Sequence, residues 1–228
     1  METFNDWLID LSRVSAIAGI LFYLFTRSST SKVATGLFLV LTASFLADSL
    51  NYFFIRLVYP NSFIIGNIWI IANYLVLIWL FSILIASSSY KRYLIVGLLF
   101  FGTGATITFT FYYSFLESNT FIRLWSNVTF IIASISVYFQ LLKTPTKKLS
   151  QVPIFWIATA FFIYYSLVLL LSIFDNFLIF DQRISIEAYR IIHFINLMAN
   201  IAKNFILFYA LVLIDKGYPD SLNPAKAT

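Results

Sequence analysis

A single lysine, Lys203, stands in the middle of IIHFINLMANIAKNFILFYALVLI, a segment otherwise suited to hydrocarbon. An ammonium group in such a place must lose its proton, reach an interface or meet a counter-charge, because an isolated buried cation is costly. Its neighbours share a pattern. At 100° per residue, His193, Asn196, Asn200, Lys203 and Asn204 fall within an arc of about 100°. Lipid cannot satisfy a polar stripe on an apolar helix, so the stripe is expected to face a bundle interior or a wet cavity. Two further charges lie deep in apolar sequence: Arg13, and Asp48 on a face with Ser44 and Asn51. A buried lysine and aspartate at one level can pair, bind a ligand or carry a proton.

Depth decides whether they can meet. At ~1.5 Å per residue, Asp48 lies about 12 Å and Lys203 about 20 Å below the same boundary. Helical side chains lean toward their own N-terminus. The segments of Asp48 and Lys203 run in opposite directions, so the two groups lean toward each other, and a Lys203–Asp48 pair is expected. Arg13 competes for Asp48, but Asp10 three residues earlier offers it a local partner. Asn73 and Tyr74, Asn127, and Tyr164 and Tyr165 fall in the same depth band. A polar chamber walled by Phe and Tyr is expected, with Arg13, Asp48, Asn73, Tyr74, Tyr164, Asn196, Asn200 and Lys203 as ligand-binding residues. The competing reading is that these groups only hold helices together, at roughly 0.6–2 kcal/mol per contact. His193, near the boundary, reads as a solvated or packing histidine rather than a proton relay.

The elements that carry these residues follow from composition. The 228 residues are 61% hydrophobic and 11% charged, with 26 phenylalanines. Soluble domains carry about 25% charged residues, and a chain of this size could not hide so much apolar surface from water. Seven apolar segments of about 20 residues each are long enough to cross a bilayer: 7–25, 34–57, 64–86, 94–115, 121–142, 153–174 and 188–214. Barrel strands would be half as long and alternate in polarity, so the fold class is an all-α membrane protein, a single seven-transmembrane-helix bundle over 1–228. Pro153 suits the first turn of the sixth span. GTGAT at 102–106 reads as a close helix contact rather than a phosphate loop, since it lacks the lysine. NVT at 127–129 is a glycosylation triplet inside a span.

Charge sets the expected orientation. Arg27, Lys32, Lys91, Arg92, Lys143, Lys147, Lys148, Lys216 and Lys226 fall on one side. Arg56, Arg123, Arg183 and Arg190 fall on the other, diluted by Glu2, Asp6, Glu117, Asp175, Asp181 and Glu187. The positive-inside rule puts the first set in the cytoplasm, the N-terminus outside and the C-terminus inside. The net charge of +5 is thereby explained by topology, not by nucleic-acid binding. The acidic start METFNDWLID has no basic n-region, which argues against a removable signal peptide. With no cysteine and one histidine, thiolate chemistry and a multi-histidine metal site are excluded within the chain. No acid pair or serine–base arrangement stands in the spans at hydrolytic spacing, so no enzyme and no cofactor is expected.

TASFLADSL (42–50) aligns with TAFFIYYSL (159–167), and the same offset lays span one over span five. A parallel three-plus-one-plus-three layout would follow, as in some transporters. Seven helices and a lysine in the seventh also resemble retinal-binding microbial rhodopsins, whose Schiff-base lysine needs a carboxylate counter-ion. That resemblance fails at the family's motifs. The third span, ANYLVLIWLF, has no acid, the sixth, FWIATAFFIYY, no proline, and Ala199 stands where an Asp precedes the lysine by four. PIFWIATAFFIYYSLVLLL, IHFINLMANIAKNFILFYAL and ANYLVLIWL are similar to an uncharacterised group of small bacterial seven-helix inner-membrane proteins. The resemblance implies a bacterial inner-membrane protein with no effector domain of its own, acting beside a separate signalling protein. The expected function is a membrane sensor or receptor-like module that binds a small anionic or amphipathic ligand. The alternative is a secondary transporter of a small solute, and retinal binding through Lys203 is the least favoured.

Overall fold

In a computed structural model the backbone is described for residues 2–26, 31–57, 63–112, 120–143, 148–181 and 186–218. Side chains are described within these ranges except 2–6, 51–57, 63–66, 111–112, 120–121, 175–181 and 186–190. Seven long helices occupy them: α1 (Glu2–Thr26), α2 (Lys32–Leu57), α3 (Phe63–Leu84), α4 (Ser88–Ile107), α5 (Thr120–Lys143), α6 (Pro153–Asp181) and α7 (Ile186–Asp215). Each is long and apolar enough to cross a membrane. In a bilayer core every backbone group must be satisfied within the chain, and a continuous helix does this.

The expected spans and the helices differ at their ends. α1 already begins at Glu2, and α6 continues past residue 174 to Asp181. α4 begins at Ser88, ahead of the expected 94, so Lys91 and Arg92 lie in its first turns rather than in a loop. Ser87 precedes it in extended conformation, a position serine favours at helix starts. The same helix gives way at Thr108–Tyr112 to a π-helical turn. Among the orientation charges, Arg27, Lys147, Lys226, Glu117 and Arg183 lie outside the described residues, and the side chains of Arg56, Arg190, Glu2, Asp6, Asp175, Asp181 and Glu187 outside the described side chains, as does that of Asn51.

α1 packs between α2 and α7, α6 between α5 and α7, and α2 against α3, which also meets α5. Six helices thus close a ring, and α4 lies outside it against α3 and α5. Two glycines allow close approach: a methyl group at Gly19 of α1 would sit 2.5 Å from Leu41 Cδ1, and one at Gly36 of α2 would sit 2.6 Å from Leu80 Cδ1. Gly102, in the GTGAT run expected to make such a contact, has nothing within 4 Å of its would-be Cβ.

The core between α3, α5 and α6 is aromatic. Tyr74 stacks on Phe101 (centroids 3.7 Å apart) and tilts against Phe130, which meets Tyr165 at 5.0 Å. Phe81 joins Phe130 to Phe161. At the opposite end from the N-terminus, Gln140 Oε1 accepts hydrogen bonds from the backbone N–H groups of Ala86 and Ser87, holding the α3–α4 junction to α5. Large apolar side chains such as Phe25, Leu99, Phe100, Phe139 and Leu142 are exposed on the outer faces, a surface suited to lipid tails and not to water.

Candidate functional site

Three helices place the buried polar residues. α7 contributes Asn200, Lys203 and Asn204 at i, i+3 and i+4, on one face. α1 contributes Ser12 and Ser15, and α2 contributes Ser44 and Asp48, again at i, i+4. All of these except Asp48 are buried, and Asp48 is partly so. Serine lets helices come close while leaving a hydroxyl to bond across the gap.

The bonds form one connected network. Ser12 Oγ donates to Asp48 Oδ2 at 2.7 Å. Asn200 Nδ2 donates to Ser12 Oγ at 2.9 Å and to Asp48 Oδ2 at 3.2 Å. Asn200 Oδ1 accepts from Lys203 Nζ at 2.6 Å, and Nζ also donates to Ser44 Oγ at 3.1 Å. One turn deeper, Asn204 Nδ2 donates to Ser15 Oγ, which donates to the Ser12 carbonyl. The Lys203 ammonium also lies 4.4 Å from the centroid of the Tyr164 ring, within the range of a cation–π contact.

The expected direct Lys203–Asp48 pair is therefore replaced by a bridge. The one ion pair among the described residues joins Arg13 to Asp10 at 3.0 Å, the local i, i+3 partner. Lys203 and Asp48 start about one and a half helical turns apart in depth, at ~5.4 Å per turn, and the amide of Asn200 fills the distance that their leaning leaves open. Arg13 also reaches the backbone carbonyl of Asp48 at 3.4 Å.

Beside this network lies a cavity of about 290 Å³ inside the ring. α2 lines it with Ala47 and Asp48, and α3 with Trp69, Ile70 and Asn73. α5 contributes Arg123, Ser126 and Asn127, α6 contributes Tyr164, Tyr165 and Val168, and α7 contributes Asn196. Asn73 Nδ2 donates to the Tyr165 hydroxyl at 3.0 Å, closing one wall. Asp48 and Tyr164 belong to both regions: each touches the cavity and each touches the buried network.

Of the eight residues expected at the site, Asp48, Asn73, Tyr164 and Asn196 line the cavity, and Asn200 and Lys203 lie in the network behind it. Arg13 is in neither wall; it belongs to the rim of the network with Asp10. Tyr74 is misplaced by the sequence reading. It is fully buried, its hydroxyl donates to the Gly97 carbonyl of α4 at 3.0 Å, and its ring packs in the aromatic core. Asn73 and Tyr74 share a depth but differ by 100° in direction, so one faces the cavity and the other faces α4.

Arg123 is the charged cavity residue that sequence reasoning missed as a site. It sits near the start of α5 and reads as an orientation charge. Among the described residues no carboxylate lies within 4.0 Å of it. One turn on, Asn127 is 3% exposed, and its Nδ2 has no hydrogen-bond partner among the described residues. Its signal was present, as an asparagine in an apolar span at the depth of Asp48. Compared with known proteins, the chain matches no family model, no curated protein and no solved structure.

Proposed function

We propose that this chain is a receptor-like module of a bacterial inner membrane, N-terminus outside and C-terminus in the cytoplasm. It binds a small solute in the cavity and acts through a separate protein at its basic end. The observation that carries the reading is the state of the α5 wall. Among the described residues, a guanidinium without an ion pair and a buried amide N–H₂ without a partner line one cavity. Asn127 is a buried donor without a partner, which costs stability, and beside it the half-buried Arg123 lacks an ion pair; polar groups so placed inside a membrane bundle favour a ligand site over helix glue. A solute there would touch Asp48 and Tyr164 and so act on the bonds that join α1, α2 and α7. At the far end Lys148 and Lys216 are exposed to a partner. Among the described residues no group of three or more His, Asp or Glu stands together, the spans carry no acid pair or serine–base arrangement at hydrolytic spacing, and we read the chain as a non-enzyme.

The chain has no cysteine, so a single introduced thiol reports cleanly. In sealed vesicles Ala47→Cys should react with a charged methanethiosulfonate reagent from the face on which the N-terminus lies, while Ser44→Cys, in the network, should not. An Ala47→Cys thiol that stays unmodified while a loop cysteine reacts would remove the cavity as a solute site.

A secondary transporter is the second reading, and one observation favours it. The offset that lays Thr42 on Thr159 also lays Ala47 and Asp48 on Tyr164 and Tyr165, and both pairs line the cavity. Repeat-related segments flanking one site are a transporter feature, and α4, the helix between the two threes, lies outside the ring. Reconstituted vesicles decide: a receptor binds without flux, whereas a transporter accumulates solute and loses coupling in Asp48→Asn.

A further inference from the structure

The cavity carries opposite charges on separate walls. Arg123 of α5 and Asp48 of α2 both line it, yet they make no ion pair with each other. Each is prepared for something else. Asp48 Oδ2 already accepts from Ser12 and Asn200, while Oδ1 accepts no hydrogen bond among the described residues. On the α5 wall Arg123 offers a planar fork of N–H donors suited to a carboxylate. Asn127, four residues on and buried, adds an N–H with no partner among the described residues. One wall thus offers donors, and the other offers a carboxylate oxygen. Trp69 and Tyr164 also line the cavity; aromatic faces attract an ammonium group, and the Tyr164 ring already meets that of Lys203.

A ligand with one kind of charge serves this arrangement badly. An anion would satisfy Arg123 but bring a like charge toward Asp48, whose Oδ1 accepts no hydrogen bond among the described residues. A cation would do the reverse to Arg123. Each serves one charge of the cavity and opposes the other, and a cation leaves Arg123 with no ion-pair partner among the described residues. A molecule with a carboxylate at one end and an ammonium at the other satisfies both walls at once. The space fits a small one: at roughly 30 Å³ of liquid volume per water, it holds on the order of ten water-sized groups. We infer that the cavity takes a small zwitterion of the α-amino-acid class, its carboxylate on Arg123 and Asn127 and its ammonium on Asp48 among the aromatic rings. This rests on the solute-site reading above and narrows it, for the basic group on the cavity wall is Arg123 and not the Arg13 or Lys203 of the sequence expectation.

The test uses the whole protein in nanodiscs. The twenty standard amino acids are titrated by calorimetry and scored for protection of Ala47→Cys. The tightest binder is then compared with its deaminated carboxylic acid and its decarboxylated amine. The amino acid should bind at least tenfold more tightly than either analogue. Arg123→Gln should erase its advantage over the amine, and Asp48→Asn its advantage over the acid. Asp48 also holds the network together, so Asp48→Asn risks misfolding. Arg123 stands outside that network, so Arg123→Gln tests the carboxylate end without that risk, and an undiminished advantage over the amine in that variant overturns the assignment. An acid or amine that binds as tightly as the amino acid overturns the zwitterion and leaves the solute site standing. Absence of binding by all three classes overturns it too, and an unreactive Ala47→Cys thiol then takes the solute site with it.

Discussion

At the scale of single residues, the central object is the Asn200 side chain. Its N–H₂ serves Asp48 and Ser12, and its carbonyl oxygen serves Lys203. Removing a group that satisfies two buried charges leaves both exposed to desolvation, whereas removing one charge removes its own penalty as well. Asn200→Leu should therefore destabilise the protein by about 2–4 kcal/mol. Lys203→Met should cost less, about 1–2 kcal/mol, because the lost bonds to Ser44 and Asn200 are offset by the missing ammonium. Denaturant unfolding in micelles reads both, and the reverse order would show that the amide is no bridge. Asp48, Asn200 and Lys203 were legible in the sequence because a charge or amide stands out among Leu, Ile and Phe. Arg123 was not, since a basic residue close to a helix start looks like any topology charge. Tyr74 was misread because counting along a helix gives depth well and direction poorly. Ser44 was legible only as a neighbour of Asp48 on one helix face, and Ser12 and Ser15 gave no warning, as serine serves equally well for packing.

At the scale of elements, helix approach is set by two glycines and not by the run that draws the eye. Gly36 faces Leu80 and Trp79 across the α2–α3 contact, while Gly102 of α4 faces open space. Overpacking a filled contact costs about 1–3 kcal/mol. Gly36→Leu should lower stability by that amount, and Gly102→Leu should leave it within about 0.5 kcal/mol, the range of an unconstrained surface change. Thermal unfolding of the two variants side by side checks this, and equal losses would contradict the packing described. The seven helices themselves were legible because apolar length alone defines them. Their neighbours were not, since an apolar helix with little polar pattern does not say which face meets which helix. The peripheral place of α4 could be seen only in three dimensions.

At the scale of the whole molecule, the cavity lies toward the end where α1 begins, and the exposed Lys148 and Lys216 lie at the other. On the proposed reading, orientation in the bilayer decides which compartment would supply a solute and which would hold a partner. An impermeant maleimide should label Ser118→Cys, in the connection before α5, on intact cells. Ser150→Cys, just ahead of α6, should label only after permeabilisation. The opposite pattern would turn the molecule over, along with the direction of any signal. The basic residues made this expectation readable, because membrane insertion reads their distribution directly.

The amide between Asp48 and Lys203 has one more consequence. A carboxamide passes on an electric field but does not surrender its own protons near neutrality. The two charges are thus coupled in energy and insulated from each other as acid and base. A proton arriving at the carboxylate from the cavity would weaken its hold on Asn200 of the seventh helix, while the ammonium beyond the amide could not neutralise that carboxylate by handing its own proton across.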